Sequence, residues 1–544
     1  MTEPARVDFP DQLRPESSTD GLPPVTPAGS SGRETAKGFS VRWVAVFALF
    51  AAVFFLLDVP FRDFWSQNEG RYALGAASVL EGRWLVPTII PGTDADKPPL
   101  FFWLVAAISA PFGKVTAWTP RLANLMAAFV ALAAVVQFGR ITRNRWVGFL
   151  SAVILATSYE FWDQMTFPGV DVLMTAMLTV AWVALFLMLV EGFTWRRWTA
   201  LWVFMGLAFL TKGPVALILS GLVAMVFAFW QFGRRDGWRR LFRLRPFIGT
   251  AVACAPFALW AGAVYVVLGI EPLKETVIRH NFARFFEAFD HDRPWYFLIY
   301  EMPLCTLPWS ALLPFALWHG LRARRARRDP SHLPLYFAAS VVLVVVGFFS
   351  LSSSKQDYYL LPLIPWFGYA VSVFIWDRFV AAEPSAAGAS RWSDLDLLRR
   401  FLATGIGKAA VGILSLMVLA TAIRSTVVAA MGNERKSPIP LVEAIHKAAD
   451  ENNRLVFIDC DNLIIFFYME KPYEIVDHTA EHLAQLRRAM EKGATLDIVI
   501  EESDLRHLSR FDGIPLYVEG KEDIKRKAYY ILTNEAKFGL QRYS

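Results

Sequence analysis

The sequence predicts a polytopic α-helical membrane protein with a small α/β domain at its C-terminal end, and three observations carry that prediction. The 544 residues are 55% hydrophobic and only 19% charged, with a mean hydropathy of +0.36, a charge share below that of ordinary soluble domains. Apolar runs near the roughly 20 residues that a spanning helix needs alternate with short clusters of Lys and Arg. After Arg424 the hydropathy collapses, and helical and strand-like stretches take turns over the remaining residues. The net charge of +6 sits in those short clusters, which is how cytoplasmic loops look under the positive-inside rule. It therefore reports orientation and excludes nucleic acid as the partner. Three cysteines, Cys254, Cys305 and Cys460, with no C-x-x-C pair, exclude a disulfide framework and a cysteine-rich zinc site.

Taken in order, residues 1–40 are rich in Pro, Ser, Gly and charge, with no basic start and apolar core of a cleaved leader, and read as a disordered cytoplasmic tail. A first span is expected at about 41–57, entered from Arg33, Lys37 and Arg42. Residues 58–120 then form a first outer loop, in which Tyr72–Leu80 and Leu100–Phe112 look helical. The second of these is too short to span and is expected along the interface. Further spans are expected near 122–138, 147–159, 171–190, 198–210, 214–231, 247–268, 302–318, 333–350, 359–376 and 404–424. Basic loops ("RITRNRW", "TWRRW", "GRRDGWRRLFRLR", "LRARRARR") fall on every second connection. The weave gives about 11 spans, within a range of about 11 to 13, with the N-terminus inside and the C-terminus outside. The membrane part thus covers 41–430. Residues 431–544 form the outer α/β domain, with helices in "PLVEAIHKAADENN" and "TAEHLAQLRRAMEK" and strands in "RLVFID", "TLDIVIE", "PLYVEG" and "AYYILTN".

Nearly every unusual polar residue at a membrane boundary falls on the outer side. Ionisable groups at the edge of hydrocarbon are costly unless paired or facing a wet cavity, so their collection on one face predicts a polar chamber. Acids enter it from three places: Asn68-Glu69 in "SQNEGRY", Asp96 in "DADKPP", and Asp171 in "FPGVD". Carboxylates converging from separate loops can hold a divalent cation or supply a general base. Glu69 and Asp171 could equally be helix N-terminal acids favoured by the dipole. Lys97 begins a Lys-Pro-Pro helix start and Lys212 sits beside a Gly-Pro break in "FLTKGPVAL"; each is either a snorkelling lysine or a ligand for an anionic headgroup. "IRHNFARFFEAFDHDRPWYF" crowds Arg279, His280, Arg284 and Arg293 among aromatic rings, a composition that suits a lipid-linked phosphate bearing a sugar, and also an interfacial aromatic belt. "SSSKQDYYLLPLIP" adds Lys355 and Tyr358 on the same side.

These motifs, with "NEGRYALGAASVLEGRWLVP", "DKPPLFFWL", "TPRLAN", "LTKGPVAL" and "HNFARFF…RPWYF", together resemble the GT-C glycosyltransferases of the protein O-mannosyltransferase superfamily. The likeness is nearest to the branch of bacterial lipid A aminoarabinose transferases and runs from about Asp58 to Pro365. It implies a GT-C fold and a bacterial inner-membrane enzyme that takes a sugar from undecaprenyl phosphate to an envelope acceptor on the periplasmic face. It also implies that Glu69, Asp96 and Asp171 are the catalytic acids and the ligands of a divalent metal. Asn68, Arg71, Tyr72, Lys97, Lys212, His280, Arg284, Lys355 and Tyr358 would bind substrate. The family's leading acid in the first loop is Asn68 here, and a neutral amide cannot be a general base. Asp96 stands where the branch usually has Glu. The acceptor is expected to be lipid A, another envelope glycan or lipid, or a protein hydroxyl. A lipid or sugar transporter is the reading from another class, and it calls for repeated halves that the chain does not show.

Overall fold

The computed structural model describes residues 62–91, 93–94, 97–274, 293–316, 318, 330–380, 399, 402–511, 514–524, 527–537 and 540–543. The expected first span, Asp96, His280 and Arg284 lie outside these residues.

Among the described residues, seven helices are long and apolar enough to cross a membrane. Thr119–Thr142, Val170–Val190, Pro246–Leu268 and Leu333–Ser350 coincide closely with expected spans. Val215–Arg243 breaks at Gly233, where φ is 73°, a left-handed backbone that glycine tolerates. Two expected spans differ. Arg145–Ala156 has 12 residues, about 18 Å of helix against about 30 Å of hydrocarbon; Thr157 and Ser158 turn their hydroxyls back onto the carbonyls of Val153 and Ile154 and end it. The run at 302–318 is also interrupted: Phe297–Cys305 stops before a turn at Thr306–Pro308, where Pro308 has no N–H to continue the helix.

The bundle is held by aromatic and small residues in alternation. Phe138 packs edge-on against Phe186, Trp366 and Tyr369, with ring centroids 5.2, 4.9 and 4.7 Å apart. Phe337 closes the cluster against Phe227. Gly139 and Gly148 let two backbones touch, since a Cβ on Gly139 would stand 2.4 Å from the Gly148 Cα, the small-residue packing that membrane helices use where lipid offers no hydrophobic drive. Some polar atoms pair across helices, as Ser151 with Ser372 at 2.7 Å and Trp182 with Ser220 at 2.9 Å.

The helix Gln67–Leu80, a hairpin of β1 (Thr88–Ile90) and β2 (Thr93–Asp94), and the helix Leu100–Ser109 cap one end of the bundle. Onto this cap folds the C-terminal domain, a six-stranded mixed sheet. Its strands are β3 (Arg454–Ile458), β4 (Glu474–Val476), β5 (Leu496–Glu501), β6 (Tyr517–Ile524), β7 (Lys527–Thr533) and β8 (Gln541–Arg542), in the order β4-β3-β5-β7-β6-β8. The first three are parallel and the rest antiparallel. The strand period sorts the side chains. Val456, Ile458, Ile498 and Ile500 face Leu483, Leu486 and Met490 of the helix Ala480–Glu491, whereas Leu455, Phe457, Val499 and Ile531 join the core shared with the bundle cap. The six-residue run Leu463–Tyr468 is a helix docked on Gln67–Leu80. A Cβ at Gly70 would come within 2.9 Å of the Leu463 carbonyl, so glycine there sets how closely the two segments approach.

Candidate active site

The polar turns gather at the end of the bundle that the cap covers. The first is built around Glu69. Ser66 caps the helix Gln67–Leu80, and Glu69 returns the bond in a capping box. Glu69 Oε2 accepts from the backbone N–H of Trp65 at 2.8 Å and of Ser66 at 3.1 Å. Its Oε1 accepts from Arg62 and Arg121, both at 2.9 Å. Arg121 donates further to the carbonyls of Arg62 and Asp63. Burial would raise the Glu69 carboxyl, but the two guanidinium charges and these donors hold it below the ordinary carboxylate range. Glu69 and Arg121 are both fully buried, and the four acceptor positions of the carboxylate are filled. The expectation that Glu69 serves as base or metal ligand does not fit this geometry: the side chain clamps the loop, and Arg121, in the quoted "TPRLAN", is its partner.

Asn68 is exposed at the start of the same helix. Tyr72, one turn on, is buried, with its ring 5.2 Å from Phe101 and 5.7 Å from Phe102. That ring lies against Gly169, so Tyr72 packs the first helix onto the turn that delivers Asp171 and is a wedge rather than an open ligand. Arg71 is half-buried on the same helix, and Lys97 is half-buried in the turn before Leu100–Ser109.

Asp171 opens the helix Val170–Val190, and Lys212 closes Trp195–Lys212. The neighbouring helix Val215–Arg243 begins only after Gly213, whose φ is 91°. The antiparallel run of the two helices brings the ends together, and Lys212 Nζ donates to Asp171 Oδ1. The same ammonium lies 4.8 Å from the ring centroid of Tyr359 and 5.5 Å from that of Tyr358, within cation–π range. Tyr358 and Tyr359 stand on the short helix Asp357–Leu363, which packs against Val170–Val190. Lys355, just before it, is buried and donates to the Arg293 carbonyl at 2.8 Å. It ties that loop to the segment leading into Phe297–Cys305.

A second acidic group lies against the helix Asp357–Leu363. Glu160 is buried on the short helix Tyr159–Gln164, which packs against both Phe297–Cys305 and Asp357–Leu363, the elements carrying Glu301 and Asp357. Burial, reinforced by Asp357, Asp163 and Glu301, pushes its carboxyl up to about 8. Its Oε1 has no hydrogen-bond partner. Asp163 is paired with Arg424 at 3.1 Å. The sequence reading passes over Glu160 because it counts the run through 159 as one span; an acid three residues before another acid, just past Thr157-Ser158, is the signal that marks the helix end.

The three carboxylates expected to hold a divalent metal do not form a site among the described residues. Glu69 is saturated, Asp171 faces Lys212, and Asp96 lies outside them.

A bundle of spanning helices with its polar turns at one capped end and a sheet domain folded over them has the GT-C glycosyltransferase fold. Over nearly its whole length the chain matches the crystal structure of ArnT from Cupriavidus metallidurans bound to undecaprenyl phosphate, with a TM-score of 0.69 and 20% identity, covering 92% of this chain and 99% of that one. Residues 96–260 match the family model of dolichyl-phosphate-mannose-protein mannosyltransferase. In sequence the chain resembles the undecaprenyl phosphate-alpha-4-amino-4-deoxy-L-arabinose arabinosyl transferase of Pseudomonas aeruginosa, 30% identical over 321 residues that make up 57% of this chain and 56% of the relative. A transferase of the same description from Aeromonas salmonicida is 30% identical over 332 residues, 58% of this chain and 56% of the relative. The match thus spans little more than half the length of these curated relatives.

Proposed function

We propose that the protein is a membrane glycosyltransferase that moves a sugar from a polyprenyl phosphate carrier, of the undecaprenyl class, to an acceptor in the bacterial envelope such as lipid A. The observation that carries this reading is the Asp171–Lys212 pair beneath Tyr358 and Tyr359 at the capped end of the bundle. A lysine held against a carboxylate at the edge of a bundle has a ready partner exchange: an arriving anionic phosphate competes for the ammonium. Lys212 then neutralises the phosphate as the bond from the anomeric carbon to the phosphate oxygen breaks. Asp171, relieved of its partner, accepts the proton of the attacking acceptor hydroxyl. Attack opposite the departing phosphate inverts the anomeric centre, and the bond electrons leave with the polyprenyl phosphate. Glu69 and Arg121 hold the loop that presents Asn68, and Lys355 holds the Arg293 segment; these are positioning residues.

In this reading the capped end faces the periplasm, with the C-terminal domain there and the N-terminus cytoplasmic, and the basic turns at the opposite end support it. There Arg143 pairs with Asp377, Arg197 with Glu191, and Arg240 with the carbonyl of Leu189, the side that the positive-inside rule assigns to the cytoplasm. A transporter built from duplicated halves would show an internal repeat, which the sequence does not. The test is mass spectrometry of lipid A and other envelope glycans from cells with and without the gene, complemented by wild type, Lys212→Met or Asp171→Asn. A modified species that wild type restores and neither variant restores supports the reading, and undiminished modification by both variants defeats it.

A further inference from the structure

We propose a divalent transition-metal site in the C-terminal domain, formed by Asp459, His478 and His507. One carboxylate oxygen and one imidazole nitrogen from each histidine lie within 4.8 Å of one another. The three residues come from separate places in the sequence and from one place in the topology. Asp459 directly follows β3, His478 follows β4 by two residues, and His507 lies on the short helix Glu502–Phe511 after β5. These are the carboxyl ends of the three parallel strands. The chain leaves β3 to form β4 on one side and returns to form β5 on the other, so the strand order reverses around β3. The crevice at such a reversal is where open sheets bind ligands.

Local geometry fits ligation. Asp459 is held at φ 51°, a left-handed backbone uncommon outside glycine and worth explaining in a non-glycine residue. Its Oδ1 accepts from the His478 backbone N–H at 3.1 Å, which orients the carboxylate. Oδ2 lies 2.7 Å from His478 Nδ1 without hydrogen-bond geometry, so the two atoms sit side by side instead of donor to acceptor. The rings of His478 and His507 lie 4.6 Å apart. Tetrahedral bonds of about 2.0 Å set ligand atoms about 3.3 Å apart, a spacing these groups reach by small rotations of side chains at an accessible surface. Asp504, 3.9 Å from His507 Nε2, is placed to orient that ring from outside the ligand set. A plain surface ion pair looks different: His482 and Asp477, on one short stretch, pair at 2.7 Å with full hydrogen-bond geometry. Two imidazoles and a carboxylate suit a borderline ion of the Zn²⁺ class and leave a coordination position for water.

The site bears on the rest of the molecule through three residues of chain. Asp459 is followed by Cys460, Asp461 and Asn462, and then by the helix docked on the capped end. Gln67 accepts from the Leu463 N–H at 2.7 Å and donates to Asn462 Oδ1 at 3.3 Å. An ion at Asp459 thereby fixes the segment that braces the helix carrying Asn68 and Glu69.

The experiment uses the full chain in detergent, stripped by chelation and dialysed, with Zn²⁺ as the titrant and Co²⁺ as a spectroscopic reporter. Wild type is expected to retain one more equivalent of Zn²⁺ than His478→Ala, with affinity lowered about 100-fold in that variant and about tenfold in Asp504→Asn. Co²⁺ should give d–d absorption that His478→Ala abolishes. His482→Ala and Asp171→Asn should leave both readouts unchanged, which separates this site from anything bound at the membrane site and from the transferase reading. His478 is exposed, so its loss spares the fold; a monodisperse His478→Ala protein with wild-type Zn²⁺ retention and Co²⁺ spectrum overturns the proposal.

Discussion

Replacing Glu69 by glutamine removes one negative charge from between two guanidinium groups and changes almost no volume. In the native loop, Glu69 accepts from Arg62, Arg121 and the backbone N–H groups of Trp65 and Ser66. A glutamine has one acceptor oxygen and a donor amide, so whichever way it turns, one pair of donors faces an N–H₂. Arg121, fully buried, loses the carboxylate it pairs with, and breaking a buried pair from one side costs about 3–5 kcal/mol. The orphaned backbone donors, at about 1–3 kcal/mol each, belong to the same network and do not add in full. We therefore expect Glu69→Gln to lose about 3–5 kcal/mol at the loop. The measurement is hydrogen exchange of residues 62–70 together with the midpoint of thermal inactivation in detergent. The loop should exchange faster and the midpoint should drop, and pairing Glu69→Gln with Arg121→Met should recover part of the loss. A Glu69→Gln protein with native exchange and native midpoint but no activity would refute the argument and return Glu69 to the chemistry.

Other substitutions separate the remaining parts of the account. Lys212→Met should lower kcat/KM by about 10²–10³-fold in a transfer assay with a polyprenyl-phosphate sugar, with Lys212→Arg recovering part of it. Glu160 has its carboxyl raised from 4.5 to about 8; a raised acid contributes stability that is present below the unfolded value and lost as pH climbs through the folded one. Wild type should therefore lose stability between pH 4.5 and about 8, and Glu160→Gln should flatten that slope in thermal-inactivation curves. Glu69 has the opposite sign: its lowered carboxyl supports the loop above the ordinary value of 4.5, and the protection of residues 62–70 relative to the intrinsic exchange rate should fall as pH falls further. Gly70→Ala pushes a Cβ to 2.9 Å from the Leu463 carbonyl, an overpacking worth about 1–3 kcal/mol. Limited proteolysis should then cut between the bundle and the C-terminal domain sooner.

The long apolar helices were legible because length and hydropathy alone decide them, and Val170–Val190 and Pro246–Leu268 fall within a residue of where the sequence puts them. Runs such as 147–159 and 302–318 misled, because a hydropathy window averages over Thr157, Ser158 and Pro308, whose side chains end helices locally. The helix Leu463–Tyr468 looks no different in sequence from a buried strand; packing on Gln67–Leu80 decides it. At the site, Asp171 and Lys212 were each visible as a charge at a span boundary, but their pairing depends on two helices running antiparallel. Glu69 was visible and its role was not, since only the fold shows that Arg121, 52 residues away, occupies it. Asp459, His478 and His507 carry no spacing motif at all, because three strand ends assemble them.

In the proposed transfer, Lys212 meets the phosphate and Asp171 the attacking hydroxyl of one reaction. The most direct measurement is single-turnover transfer by purified protein with an undecaprenyl-phosphate sugar and a lipid A acceptor, comparing wild type, Lys212→Met and Asp171→Asn, with donor binding measured alongside. Asp171→Asn is expected to bind donor at least as well as wild type, because its lysine is released, and to fail at transfer, while Lys212→Met should lose both. Transfer at the wild-type rate by Asp171→Asn, or unchanged donor binding by Lys212→Met, would contradict it.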